Sequence, residues 1–254
     1  VLNVLQTAVK VIKKDWDMLF IIDGPEGSGK SLFAQQCAKF CDPTFEINRM
    51  TFTPKEFQKA IVGAKQYESV VFDEAFTGLS SRATMSSINR SLVSMLAEIR
   101  QKNLFVFVVM PSFFDLDKYV SLHRSRGLFH IYTGDDFERG FVAFYNTDRK
   151  KQLYIDGKKY YTYSSAKPNF VARFTNHYTL DATAYKRKKL LSLTDRETKT
   201  AENELYQLAQ DLIFERMQET TIELSHTIKM KICDLPSSTY FLKLKKYHAE
   251  REVS

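Results

Sequence analysis

The apolar run "MLFII" (18–22) stops at Asp23, gives way to "DGPEGSGKS" (23–31), and is followed by a helix-like stretch over residues 30–41. No other feature of the chain constrains the fold as strongly. A short, continuous apolar run is typical of a strand buried on both faces, as in a parallel sheet. Gly24, Gly27, Gly29, Lys30 and Ser31 fit the pattern G-x-x-x-x-G-K-[ST]. Glycines let successive backbone N–H groups turn inward around an anion with no Cβ in the way. The N-terminus of the following helix adds unpaired amides and the positive end of its dipole. In this pattern Lys30 reaches the β- and γ-phosphates and Ser31 holds Mg²⁺. The segment Gly24, Pro25, Glu26, Gly27, Ser28, Gly29, Lys30 and Ser31 is therefore read as a triphosphate cradle. Neither Asp23 nor Glu26 has a role in it, and Glu26 is expected near its apex.

A second run, "SVVFDEA" (69–75), supplies the partner motif. An acid at the end of an apolar strand beside the phosphate loop holds the magnesium shell; here it is Asp73. Glu74 follows as the group that polarises an attacking water, which a hydrolase needs and a kinase can leave to its acceptor. A third run, "LFVFVVM" (104–110), ends at Pro111–Ser112, placing Ser112 as a candidate contact for the γ-phosphate or the water, with a plain turn residue as the alternative. Arg124 and Arg126, in "HRSRG" (123–127), precede the fourth run, "LFHIYT" (128–133). They are expected on the carboxyl-end side of the sheet, as candidate fingers for a neighbouring subunit's γ-phosphate; the alternative is a pair of surface cations. Arg82, Arg90 and Arg100 are weaker candidates.

Helical patterns separate these runs. Residues 2–14 are amphipathic, Thr53 and Pro54 open a helix over 51–64, and Ile88, Leu92, Met95, Leu96 and Ile99 mark one face of another over about 85–101. Strands alternating with helices give an α/β fold, a parallel sheet flanked by helices. After residue 134 the runs "GFVAFYN", "KQLYI" and "KKYYTY" resemble short strands, with Asp156–Gly157 as a hairpin turn, so an antiparallel meander over 138–165 is expected. From 181 onward the chain reads as helical and charged. The expected division is an ATPase domain over 1–190 and a helical region over 191–254.

These motifs resemble a known group, the additional-strand P-loop ATPases with a catalytic glutamate. "GPEGSGKS", "VVFDEA" and the polar strand end before "HRSR" carry the resemblance, which covers about residues 15–135. Within the group the layout is similar to DNA translocases of the FtsK–HerA kind and to the zonula-occludens-toxin-like and packaging ATPases of phages and mobile elements. The resemblance implies ATP and Mg²⁺ as cofactors, hydrolysis coupled to DNA movement, packaging or assembly, and a homo-oligomeric ring, commonly of six subunits. Those families often carry Gln, Asn or Thr where this chain has "MPS".

Charge distribution bears on the partner. The 254 residues carry a net charge of +7. Residues 149–190 hold eleven basic and two acidic side chains, while the rest of the chain is close to neutral. Lys150, Lys151, Lys158, Lys159, Lys186, Arg187, Lys188 and Lys189 share that block with Tyr154, Tyr160, Tyr161 and Tyr163, a mixture suited to phosphates and exposed bases. A solvated sheet, an acidic protein or a membrane surface are the alternatives. Near the end, "TTIELSHTIKMKICDLPSSTYFLKLKKYHAE" (220–250) breaks into two helical halves at "CDLPSS", resembling a helix-turn-helix with Ser237, Ser238, Tyr240 and Lys243 near its recognition face; a plain helical bundle or an oligomerisation arm is the alternative. Three cysteines, Cys37, Cys41 and Cys233, argue for a reducing, cytoplasmic setting and against a disulfide framework. No signal peptide and no apolar run near 18 residues is visible, so no membrane span is expected. Two rival functions remain at this point: a small-molecule kinase, and a nucleotide-switched DNA-binding regulator or assembly adaptor with little turnover.

Overall fold

The computed structural model describes residues 1–73, 82–219 and 224–251. Glu74 lies outside them. Contacts divide the chain into two compact units, 1–192 and 193–254.

The first unit is built on a seven-stranded sheet. Its strands are β1 (Met18–Asp23), β2 (Met50–Thr51), β3 (Ser69–Asp73), β4 (Phe105–Val109), β5 (Gly127–Tyr132), β6 (Phe141–Asn146) and β7 (Phe170–Arg173). Their spatial order is β2-β3-β4-β1-β5-β6-β7. The first five in that row are parallel, while β6 and β7 are antiparallel to their neighbours. β4 is the additional strand between the two that end at the phosphate loop and at Asp73. Strand side chains alternate between two cores. Leu19, Ile21, Val70, Phe72, Val106 and Val108 face one layer, where α3 (Pro54–Gly63) and α4 (Arg82–Gln101) contribute Phe57, Ile61, Leu92 and Ile99. Phe20, Ile22, Val71, Phe105 and Phe107 face the other, covered by α1 (Leu2–Ile12) and α2 (Lys30–Cys41). Cys37 and Cys41 are packing residues of this second layer, and burial raises both thiols, Cys41 to about 12. α3 begins as its sequence dictates: Thr53 caps the Glu56 amide at 3.1 Å and Pro54 occupies the first turn.

The expected meander is corrected in its residues. Only 141–146 of that stretch is a strand; residues 147–157, expected to supply the next strand and the hairpin turn, form α5 (Thr147–Gly157). The Asn146 side chain caps the Arg149 amide at 3.0 Å. Lys150, Leu153, Tyr154 and Gly157 are buried at 3-4-7 spacing, which is the helical period. Asp156–Gly157 ends this helix rather than turning a hairpin. A Cβ on Gly157 would come within 2.4 Å of the Thr162 carbonyl, so glycine permits the tight return that follows. The sheet's second antiparallel pairing is made instead by β7, whose Phe170–Arg173 lies opposite Phe141–Phe144.

α6 (Ala182–Glu219) starts in the first unit and continues into the second. There α7 (His226–Ile232) and α8 (Ser237–Arg251) pack with it around Phe214, Cys233, Leu235 and Tyr240. Two residues placed on a recognition face by the sequence reading are committed elsewhere. Tyr240 is fully buried, edge-on to Phe214 and hydrogen-bonded to His226, and Lys243 pairs with Asp211 of α6. No described helix is long and apolar enough to cross a membrane.

Candidate active site

Two parallel strands and a loop bring the candidate site together at the carboxyl end of the sheet. β1 delivers Gly24 directly after Asp23, and the loop's glycines take conformations that L side chains rarely adopt, with φ of 139° at Gly24 and 101° at Gly29. Space forbids side chains there as well. A Cβ on Gly24 would lie 2.0 Å from the Ile131 carbonyl oxygen of β5, and one on Gly29 would press on the Phe174 ring at 3.3 Å. α2 starts at Lys30 with no side-chain cap on its first amides. Its open N-terminus therefore faces the loop, the arrangement an anionic phosphate requires. Ser28 is buried and braces the turn by donating to the Pro25 carbonyl at 2.7 Å. Pro25, Glu26 and Gly27 form the exposed apex.

Lys30 folds back into this loop and donates to the carbonyls of Gly24 at 2.6 Å and Pro25 at 2.7 Å. Burial lowers its pKa, while Asp23, Asp73 and Glu26 oppose that shift. An ammonium gripped by loop carbonyls sits where phosphate oxygens would offer stronger partners. Asp73 ends β3 and is buried. Its Oδ2 accepts from the Tyr185 hydroxyl at 3.0 Å. Ser31 lies near the same hydroxyl. Ser31 and Asp73 thus flank one point in space. A hydroxyl and a carboxylate converging there are hard oxygen donors suited to Mg²⁺, so the residues present fit the metal. Burial and the Asp73 charge push the Tyr185 phenol far above its usual range, which keeps it a donor.

Asp23, without a role in the sequence reading, is the hub of the strand ends. It is fully buried. It accepts from the Phe113 amide at 2.9 Å and from the Tyr163 hydroxyl, and it lies 2.9 Å from His130 Nδ1. The Tyr163 ring stacks on His130 with centroids 3.8 Å apart. One carboxylate thereby ties β1 to the turn after β4, to β5 and to the segment after α5. Ser112 lies at this corner, near Tyr163, and caps the Phe114 amide at 3.3 Å. The signal for Asp23 was an acid at the end of a buried strand. Tyr163, His130 and Tyr185 carried no local signal.

The arginines require a correction. Arg124 and Arg126 lie at the amino end of the sheet, opposite the loop. The chain leaves β4 at its carboxyl end and must return to the amino end before β5 can run parallel; both arginines fall at the end of that return. The Arg126 amide donates to the Leu19 carbonyl at 2.7 Å, at the start of β1. The length of β1, roughly 16–20 Å at 3.3 Å per residue, separates them from the loop. Arg124 pairs with buried Asp17 at 2.7 Å, and Arg126 reaches the same carboxylate at 3.6 Å and lies over the Trp16 ring. They hold the entrance of β1 in place.

The basic block also divides. Lys150 is fully buried and gives its three protons to Ser121 O, Ser125 O at 2.7 Å and Ser125 Oγ at 2.6 Å, out of reach of any nucleic acid. Lys188 donates to the carbonyls of Ile47 and Met50. Lys189 turns toward Asp73, at 3.9 Å. Lys151, Lys158, Lys159, Lys186 and Arg187 are exposed, with Lys158 and Lys159 over the Tyr154 and Tyr160 rings.

The fold and loop define a P-loop NTPase-like α/β protein. No family model matches the chain, and neither does any curated protein. Among solved structures, the N-terminal domain of zonular occludens toxin from Neisseria meningitidis is similar at 19% identity, covering 67% of this chain and 98% of that one with a TM-score of 0.39. A protein described as an NADP oxidoreductase from Bacteroides fragilis is similar at 14% identity, covering 93% and 80%, with a TM-score of 0.22. The site above rests on its own geometry and not on either likeness.

Proposed function

We propose that this chain is an ATP-hydrolysing P-loop ATPase that couples hydrolysis to nucleic-acid handling, as in DNA movement, packaging or the assembly of a phage or mobile element. The observation that carries it is the convergence of Lys30, Ser31 and Asp73 around a glycine loop at one end of a parallel sheet. In this reading the loop amides and Lys30 bind the phosphates, and Ser31 and Asp73 hold Mg²⁺. The bound metal neutralises charge on the phosphate oxygens. Glu74, next in sequence to Asp73, orients and deprotonates the attacking water, and Ser112 contacts the terminal phosphate. The exposed cations Lys151, Lys158, Lys159, Lys186 and Arg187 support a phosphate-backbone partner, DNA by resemblance. The same resemblance supports a homo-oligomeric ring, with its trans-acting cation unassigned. ATPase rates with and without single- and double-stranded DNA, at several protein concentrations, test this reading. A DNA-stimulated rate that rises with concentration is expected; turnover indifferent to both would refute the coupling.

A second reading, a nucleotide-switched regulator or adaptor with negligible turnover, is favoured by the Tyr185 contact on Asp73. It predicts nucleotide binding with negligible turnover.

A further inference from the structure

The first turn of α6 closes on the corner where Ser31 and Asp73 meet. Tyr185 stands beside both, and its hydroxyl donates to Asp73 Oδ2 at 3.0 Å. One turn later Lys189 places its ammonium 3.9 Å from the same carboxylate oxygen and 3.4 Å from the Tyr185 hydroxyl. An octahedral magnesium ion binds oxygens at 2.0–2.1 Å, which sets adjacent ligand oxygens about 3 Å apart. The Tyr185 oxygen therefore stands at ligand spacing from Asp73, and Lys189 brings positive charge to the same buried carboxylate. A divalent ion and an ammonium cannot share that carboxylate without strong repulsion, because a partly buried site screens charge poorly. The head of α6 is held there by contacts of its own. The Lys188 ammonium grips the Met50 and Ile47 carbonyls, and Gln36 of α2 donates to the carbonyls of Thr175 and His177 in the segment leading to α6.

The geometry points to a metal corner that the protein occupies itself: building on the nucleotide-binding reading above, Tyr185 and Lys189 stand in for the hydrated metal, and magnesium nucleotide binds only by displacing the first turns of α6. The cost of that displacement falls on the magnesium complex alone. Nucleotide without metal needs the loop and Lys30 but not the corner.

The test titrates a fluorescent ADP analogue against the parent, Tyr185→Phe and Lys189→Met, once in Mg²⁺ and once in EDTA. Both variants should bind the magnesium complex more tightly, Tyr185→Phe about tenfold, the scale of one hydrogen bond to a carboxylate, with affinity in EDTA unchanged. Trypsin should also cut the parent after Lys186 or Arg187 faster with magnesium nucleotide than with nucleotide in EDTA. If Tyr185→Phe destabilises the fold, Lys189→Met and the cleavage assay carry the test. Weaker magnesium-nucleotide binding by Tyr185→Phe would make Tyr185 a support of the metal and overturn the displacement. Equal affinities with no change in cleavage would overturn it too. If the parent binds and Lys30→Ala does not, such a result removes this inference alone; if the parent binds no nucleotide, the reading of the loop fails with it.

Discussion

Replacing Lys150 by methionine should change the pH dependence of stability in a direction the structure fixes. The side chain is fully buried, and burial lowers its pKa from 10.5 to about 7, with the like charge of Arg126 adding to the shift. Below pH 7 both folded and unfolded chains hold the proton, so Lys150 contributes no slope. Between about 7 and 10.5 the unfolded chain keeps a proton that the folded chain releases, so stability rises with pH. The slope is at most about 1.4 kcal/mol per pH unit, which gives a ceiling of roughly 4 kcal/mol across three units. Hydrogen bonding opposes part of this. Ser125 Oγ already donates its proton to Ser121 O at 2.9 Å, so all three contacts at Lys150 Nζ must be donated by the lysine, and only the ammonium has three protons. Methionine fills the volume but leaves the Ser125 carbonyl without a donor, a loss of about 1–3 kcal/mol. Urea unfolding of parent and Lys150→Met from pH 6.5 to 9.5 reads the difference directly. The parent should gain on the variant as pH rises. A difference that stays flat, or shrinks, across that range would refute the lowered pKa of the buried lysine.

Gly24→Ala should cost more than about 3 kcal/mol, beyond ordinary overpacking, because its Cβ meets backbone that cannot step aside; a thermal midpoint equal to the parent's would contradict this. Tyr240→Ala should cost about 3–5 kcal/mol in the second unit, seen as an earlier unfolding step that leaves nucleotide binding intact. Changing Lys186 and Arg187 to glutamine should weaken duplex DNA binding and reduce the log–log salt slope by about 0.9 for each phosphate no longer neutralised, while Lys150→Met leaves the slope unchanged. An unaltered slope in the double variant would make these two cations ordinary solvated charges.

The parts of the molecule legible in the sequence are those whose physics is local. The strand runs at 18–22, 69–73 and 104–110 are continuous and apolar because a parallel sheet buries both faces, and Thr53–Pro54 announces a helix start within two residues. The phosphate loop is contiguous for the same reason: its work is done by backbone amides in a row. α5 is hard to read locally because "KQLYI" and Asp156–Gly157 resemble a short strand and its turn, although Lys150, Leu153, Tyr154 and Gly157 carry the helical period. A lysine at the buried position masked that period, since nothing local shows the three oxygens that receive it. Sequence order between β4 and β5 does not show where the return crossing is complete, so only the fold reveals that Arg124 and Arg126 sit at the amino end of the sheet. Tyr185 lies 112 residues from the carboxylate it touches, and Tyr163 lies 140 from Asp23, so only the folded chain brings these groups to the loop.

The central claim is that Lys30, Ser31 and Asp73 form a nucleotide-binding corner. Equilibrium binding of ATP with Mg²⁺, measured by calorimetry on the parent, Lys30→Ala and Glu74→Gln, tests it most directly. Lys30 neutralises phosphate charge in the bound state, whereas Glu74 acts on the water, so Lys30→Ala should lose binding while Glu74→Gln keeps it and stops product formation. Undiminished ATP binding by Lys30→Ala, or no binding by the parent, would contradict the account.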